Sequence, residues 1–177
     1  MNENSRDSVA FKTPIGDMSI IYRGNPFKIS RIFLPGNNKT NNSSITLSGD
    51  SSKNCRIHEK VKEIVNLICY GIRGQSFTIS WDWFLWEGVT GLQKAVYKET
   101  AMIPFGSLST YKKIARRIGR PKACRFVGTA LAKNPFPVLI PCHRVIRSDN
   151  KIGGFGGGPR LKQLLINAEV SDRLLHI

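Results

Sequence analysis

Three short helical patterns follow one another between Thr90 and Asn134, and turn-forming residues separate them. The first, "TGLQKAVYKETAMI", begins at a threonine suited to cap a helix and ends before the turn "PFGSLS". The second is "TYKKIARRIG", and the third, "ACRFVGTALAKN", directs apolar residues such as Val127 and Leu131 toward a core. Helices joined by such short turns are typical of a helix-turn-helix.

Positive charge is concentrated in the same part of the chain. The 177 residues include 27 lysines and arginines against 12 acidic residues, a formal net charge of +15, and no acidic residue lies between Thr100 and Ser148. The basic residues of this segment are Lys112, Lys113, Arg116, Arg117, Arg120, Lys122, Arg125, Lys133, Arg144 and Arg147. A run of cations is usually a solvated face. On helices of this outline it favours DNA, whose phosphates supply affinity that does not depend on sequence.

The first half of the chain has the pattern of a small α/β unit. Two runs rich in β-branched residues predict a hairpin from Met18 to Leu34, and the polar residues 36–54 predict an exposed loop. The apolar stripe in "RIHEKVKEIVNLICYGI" predicts a helix that stops at Gly71. The segment "SFTISWDWFLWEG" predicts a strand and an aromatic packing seam, with a base-stacking platform as the alternative.

These patterns together predict two domains. Residues 1–88 are expected to form an α/β domain of hairpin or sheet plus helix, and residues 89–177 a mainly α, winged-helix-like domain that carries the helix-turn-helix. No apolar run approaches the roughly 20 residues of a spanning helix, and the N-terminus lacks the plan of a signal peptide. We therefore expect a cytoplasmic protein, or a nuclear one if its source is eukaryotic. Cys55 and His58 lack further ligands at metal-binding spacing, so we expect no metal.

One cysteine, Cys142 in "PVLIPCHRVI", has neighbours that suit reactivity. A thiol reacts as its thiolate and therefore needs a nearby base, and His143 can serve if Pro141 introduces a turn. Two carboxylates later in the chain could orient the histidine, and Glu169, at the end of the helical run "LKQLLINAE", is a better candidate than Asp172. An inert buried cysteine beside a surface histidine is the alternative, and a cysteine protease is a weaker one.

Long stretches around this cysteine resemble one known family. "IPCHRVI", preceded by "NPFPVL" and followed by a glycine-rich loop, is similar to the active-site signature of the 6-O-methylguanine-DNA methyltransferases. "IPFGSLSTYKKIA", "GRPKACRFVGTALAKNP" and "LLINAE" are similar to the same family in order and spacing, so the resemblance is strong from Thr90 to Glu169. It implies a suicide DNA-repair protein that acts on duplex DNA containing 6-O-alkylguanine.

The resemblance implies roles at the reacting centre. Cys142 would attack the alkyl carbon and keep the alkyl group as a thioether, with no cofactor and no turnover. His143 and Glu169 would deprotonate the thiol through a water. Asn134 matches the family's hinge asparagine, for which a simple helix C-cap is the alternative.

The resemblance also implies how DNA is handled. Tyr111 matches the tyrosine that helps expel the base and then donates a proton, and Arg125 matches the arginine that fills the vacated stack. The further DNA-binding residues we expect are Lys112, Arg120 and Ser148. The family lays its recognition helix in the minor groove, and we expect this chain to do so as a monomer.

The expected substrate loop departs from the family's pattern. Phe155 stands where many relatives have tyrosine, and Gly156 where they often have serine, so the loop, which also contains Gly153, is bare. Lys162 also matches a family position and is counted with this loop, with a more modest expected role. Two other functions stay open. A non-catalytic binder of alkylated DNA would share the helices but lack the cysteine, and a transcription regulator would have no reason to place a thiol beside a histidine.

Overall fold

The computed structural model describes residues 6–36, 45–47 and 59–175, and the first of these ranges forms most of a four-stranded sheet. The strands are β1 (Asp7–Thr13), β2 (Gly16–Gly24), β3 (Phe27–Phe33) and β4 (Ile45–Leu47). Their order is β3-β2-β1-β4, with β1 antiparallel to β2, β2 antiparallel to β3, and β4 parallel to β1. The predicted hairpin is confirmed as β2 and β3, whereas β1 and β4 were not predicted.

A long helix, α1 (Glu59–Ile72), packs its apolar stripe beside this sheet. The prediction that Gly71 stops the helix was wrong. Gly71 is buried inside α1. A Cβ at this position would lie 2.6 Å from the Phe77 ring, so a larger residue would force that ring to move. The chain leaves the helix at Gly74, which has a left-handed φ of 87°.

The tryptophan-rich segment was predicted to form a strand, and that prediction was wrong. Residues Trp81–Trp83 form a turn of 3-10 helix capped by Ser80, and Phe84 makes an isolated bridge to Ile29. The expected aromatic seam is present: the ring centroids of Phe84 and Phe136 lie 4.4 Å apart, and Trp86 packs edge-on against Phe136 at 5.5 Å. These rings join the two halves of the chain, which supports packing rather than base stacking as their role.

The second half is mainly helical. The helices are α2 (Gly91–Ala101), α3 (Tyr111–Arg117), α4 (Cys124–Ala132) and α5 (Gly158–Leu175). Two short parallel strands, β5 (Ser109–Thr110) and β6 (Val145–Ile146), lie against one another. Thr90 caps α2 in a capping box with Gln93, as the sequence predicted, and Thr110 caps α3, which was not predicted.

The sheet and the helices share one continuous apolar core. β3 is an edge strand, and its Ile32 amide donates a hydrogen bond of 2.8 Å to the carbonyl of Pro135 in the turn after α4. The backbone of the N-terminal sheet is thereby fastened to the turn that leads to Cys142. Within the described ranges no helix is long and apolar enough to cross a bilayer.

Some predictions fall outside the described residues. Cys55 and His58 do so, as does most of the predicted loop over residues 36–54, of which β4 is a described part. In the described ranges, histidine, cysteine and acidic side chains nowhere gather in a group of three that could hold a metal ion.

Candidate functional site

Cys142 and His143 lie in a tight turn. Residues Cys142–Arg144 form a single turn of 3-10 helix directly after Pro141, so the cysteine and histidine do not alternate as on a strand. The turn is deeply buried: Cys142 is 6% exposed and His143 is 1% exposed. The proline that the sequence analysis singled out begins this turn. The thiol is shielded from water, as a cysteine at the surface is not.

The carboxylate of Glu169 reaches this turn from α5. Its Oε1 lies 2.8 Å from Nε2 of His143. The guanidinium of Arg144 donates to both carboxylate oxygens at 2.9–3.0 Å, and the Gly106 amide donates to Oε2 at 3.1 Å. The described structure thus selects Glu169 as the partner of His143, while the side chain of Asp172 lies outside the described part.

Arg144 is a part of this site that the sequence analysis missed. It was counted among the cations available to DNA, but it is only 8% exposed and is ion-paired to Glu169. Its Nη1 also donates to the carbonyl of Ile103 at 2.7 Å, and the guanidinium carbon lies 5.2 Å from the centroid of the Phe105 ring. The sequence signal for this role was the position of Arg144 next to His143, because the buried Glu169 carboxylate predicted to bind His143 needs a positive charge nearby.

The environment of His143 fixes its chemistry. Burial lowers the pKa of His143, and the hydrogen bond that His143 donates to Glu169 offsets this only in part, so the ring is neutral at neutral pH. Burial acts to raise the pKa of Glu169, but hydrogen bonds from His143 and Arg144 outweigh it and hold that pKa below its usual value. An ionised carboxylate can only accept, so Nε2 carries the proton and Nδ1 is free to take one. Nδ1 is buried with no partner among the described residues.

Asn134 bonds both to the thiol and to the turns around it. Its amide nitrogen donates to Sγ of Cys142 at 3.2 Å and to the carbonyl of Ile140 at 3.0 Å, and its oxygen accepts from the Phe136 amide at 3.0 Å. Lys133 occupies the C-cap of α4, so Asn134 is not the simple cap that was the alternative. Burial raises the pKa of the Cys142 thiol, while the Asn134 amide and the positive charge of Lys162 oppose that rise. The resting thiol is therefore protonated but has donors ready for its anion.

Lys162 ties the glycine-rich loop to the site. The side chain is fully buried, and its ammonium donates to the carbonyls of Val145 at 2.6 Å, Ile152 at 2.7 Å and Gly154 at 3.4 Å. Burial lowers the pKa of Lys162 to about 8, and the nearby Cys142 opposes that fall. One cation of α5 thus holds β6 and the loop together.

Tyr111, at the start of α3, borders the same loop. A Cβ on Gly153 would lie 3.0 Å from the Tyr111 hydroxyl, and Gly153 has a left-handed φ of 72°, so glycine is needed there for both reasons. Burial raises the pKa of Tyr111, so its phenol keeps a proton at neutral pH. The tyrosine can therefore act as a proton donor beside the loop.

Several of the expected DNA-binding residues share one surface depression. Its volume is about 480 Å³, and it is lined by Tyr111, Lys112, Cys124, Arg125, Gly128, Arg147 and Ser148. Arg120 is exposed but does not line it. The depression lies where α3 and α4 meet the chain after β6, and Arg116 and Arg117 are exposed in the last turn of α3. Its cationic rim suits a phosphate backbone.

A second cavity opens beside the thiol. It measures about 340 Å³, and Cys142, Asn134 and the loop residues Phe155 and Gly156 line it. The remaining lining residues are Arg31, Ile32, Phe33 and Leu34 from β3 and its end, and Leu131, Ala132 and Pro137 from α4 and the turn after it. Of the expected loop residues, Gly153 faces Tyr111 rather than this cavity. The cavity is the place where a group reacting with Cys142 can be held.

The sequence matches one family model, the DNA-binding domain of 6-O-methylguanine DNA methyltransferase, over residues 91–171. A methylated-DNA–protein-cysteine methyltransferase of Methanosarcina barkeri is 46% identical over 83 residues, which cover 47% of this chain and 52% of that protein. The Haemophilus influenzae protein of the same name is 44% identical over 80 residues, 45% of each chain. The chain therefore spans about half the length of the relatives it matches.

One solved structure covers nearly the whole molecule. The structure of Mycobacterium tuberculosis OGT in complex with DNA superimposes with a TM-score of 0.71 at 27% identity and covers 93% of each chain. The likeness in fold therefore extends to the N-terminal sheet, beyond the region matched by sequence. An N-terminal sheet followed by a helical C-terminal domain is common to both.

Proposed function

We propose that this chain is a member of the 6-O-methylguanine-DNA methyltransferase family and that it repairs DNA by transferring the alkyl group of 6-O-alkylguanine irreversibly to Cys142. The observation that carries the proposal is the arrangement around the thiol. Cys142 accepts a hydrogen bond from Asn134 and stands next to a neutral histidine whose other nitrogen is bound by Glu169. An inert buried cysteine needs neither neighbour.

The chemistry follows from the states of these groups. Nδ1 of His143 takes the proton of Cys142, through a bridging water, and Glu169 stabilises the imidazolium that forms. The thiolate sulfur attacks the alkyl carbon, a C–S bond forms, and the C–O bond breaks with its electron pair passing to the guanine oxygen. The phenol of Tyr111 donates a proton to the leaving guanine. The thioether has no route back to a thiol, so each molecule acts once.

The DNA-binding part of the proposal concerns α3 and α4. We assign them as the helix-turn-helix of a winged-helix-like domain, with α4 in the minor groove and Arg125 filling the gap left by the flipped base. Lys112, Arg120 and Ser148 would contact the backbone around it. The exposure of these side chains and the shared depression at Tyr111 support this assignment. With it go a domain boundary near residue 88, a monomeric protein, and a cytoplasmic or nuclear location.

The test is a stoichiometric one. Duplex DNA carrying 6-O-methylguanine is incubated with the protein, and after digestion the mass of the peptide containing Cys142 is measured by mass spectrometry. We expect that peptide to gain a single methyl group, and repair to saturate at one lesion per molecule. Sustained turnover would contradict a suicide mechanism, and lesion binding with no methyl gain would favour the non-catalytic binder.

Replacing Arg125 by alanine separates base flipping from chemistry. We expect repair of duplex DNA to slow by about ten-fold or more, because nothing then fills the vacated stack. Reaction with free 6-O-benzylguanine should keep its rate, since a free base needs no extrusion. Lys12→Ala is the control, because it removes one exposed cation of β1 that lies outside the depression and has no proposed role in DNA binding. Equal slowing of both reactions in Arg125→Ala would show that the arginine supports the fold instead.

A further inference from the structure

The cavity beside Cys142 is larger than a methyl group requires. Its volume of about 340 Å³ lies at the low end of the range for sites that hold small organic ligands. The helical half of the chain supplies the thiol and Asn134, while β3 supplies the opposite wall. An alkyl group that extends away from the reacting carbon can therefore meet side chains of the N-terminal sheet.

That wall is fixed in position. The Ile32 amide donates to the Pro135 carbonyl at 2.8 Å, one residue from the asparagine that contacts the thiol. Leu85 donates from its amide to the Ile29 carbonyl, also at 2.8 Å, on the same strand. Two backbone hydrogen bonds thus hold β3 against the rest of the molecule, so the side chains it presents to the cavity have a set distance from the thiol.

The wall carries one charge. Arg31 is the cation among the residues lining the cavity, and no acidic side chain lines it in the described part of the chain. Its guanidinium carbon lies 5.8 Å from the centroid of the Phe33 ring, a contact that orients the planar group. Arg31 is exposed and forms no ion pair with any described residue. A guanidinium placed in this way is suited to a carboxylate, which it can bind through two parallel hydrogen bonds.

We propose that Arg31 is a specificity-determining residue, and that the site prefers alkyl groups ending in a carboxylate, of the carboxymethyl kind, over neutral groups of the same shape. The inference rests on the proposed function and adds a substrate class to it. In the transfer, the Cys142 sulfur bonds to the CH₂ carbon, the bond from that carbon to the guanine oxygen breaks, and the guanine leaves with the electron pair and a proton. The carboxylate stays on the protein as an S-carboxymethyl group.

The experiment compares two isosteric lesions, 6-O-carboxymethylguanine and 6-O-carbamoylmethylguanine, in the same duplex. They differ by one negative charge, and single-turnover rate constants are measured for both. Each is divided by the rate of the same variant on 6-O-methylguanine, so that general losses of folding or DNA affinity cancel. For the unmodified chain we expect the carboxymethyl lesion to react about five-fold faster, the size of effect that a partly exposed ion pair supports.

Variants of Arg31 should change this ratio in a graded way. In Arg31→Gln the ratio should fall to about one, and in Arg31→Glu it should fall below one. In Arg31→Lys only part of the preference should remain, because lysine keeps the positive charge but cannot form the two parallel hydrogen bonds. Lys12→Gln, which removes an exposed cation of β1 away from the cavity, should leave the ratio as it was. A ratio near one in the unmodified chain, or an unchanged ratio in Arg31→Gln, would overturn the inference. Failure to repair even the methyl lesion would instead overturn the proposed function.

Discussion

Replacing Cys142 by alanine is expected to abolish alkyl transfer completely while leaving DNA binding intact. We expect no other described thiol to take over, because Asn134 donates to the sulfur of Cys142 and the proposed base, His143, lies in the same turn. Binding should persist because the thiol is buried behind the cavity and contributes nothing to the exposed cationic face. The loss of transfer is measured by the rates on duplex DNA and on free 6-O-benzylguanine. The retention of DNA binding is measured by an affinity titration with unmodified duplex.

The matched control for this substitution is Cys124→Ala. Cys124 is a half-buried thiol at the start of α4, and it makes a long hydrogen bond of 3.8 Å to the Pro121 carbonyl. Its removal should leave transfer to the free base unchanged. Residual transfer in Cys142→Ala, or a loss of DNA binding as large as the loss of transfer, would mean that the thiol has a different role.

Replacing Glu169 by glutamine should affect stability and chemistry together. The substitution leaves the buried Arg144 guanidinium without a charged partner, and the free energy of unfolding should fall by about 3–5 kcal/mol. The rate of alkyl transfer should fall roughly 100-fold, because His143 loses the anion that stabilises its protonated form. Urea unfolding and single-turnover repair, performed on the same preparation, measure the two effects.

A double variant distinguishes the two losses. Glu169→Gln combined with Arg144→Met removes the unpaired cation, so most of the lost stability should return. The transfer rate should stay low, since His143 still lacks its carboxylate. If the rate recovers together with the stability, Glu169 acts only as a structural residue, and the chemical role we give it is wrong.

Local features of this fold were the ones that the sequence predicted well. Thr90 caps α2 as expected, because a cap depends on residues within one turn. Gly71 was misjudged because its reason for being glycine is the distant Phe77 ring. β4 pairs with β1 in parallel across a long connection, and such a pairing leaves no local pattern to recognise.

In the candidate site, too, the features set by neighbouring residues were predicted, and those set by distant contacts were missed. Cys142 and His143 are neighbours in sequence, and the shape of the turn they form could be inferred from Pro141. Arg144 was assigned to the DNA face because a cationic side chain is usually exposed, and only the folded structure shows that α5 brings a carboxylate to it. The contribution of Arg31 was invisible for the same reason, since β3 is far from Cys142 along the chain.

The hydrogen bond from Ile32 to Pro135 bears on how such a protein could change its substrates. All the groups to which we assign the transfer belong to the helical half, but that half alone would leave the cavity beside Cys142 open on one side. The edge strand β3 closes that side. Substitutions in β3 would therefore change which alkyl groups fit the cavity, without altering the thiol, its base or the DNA-binding helices. Selectivity and reactivity can then be inherited, or engineered, as separate traits.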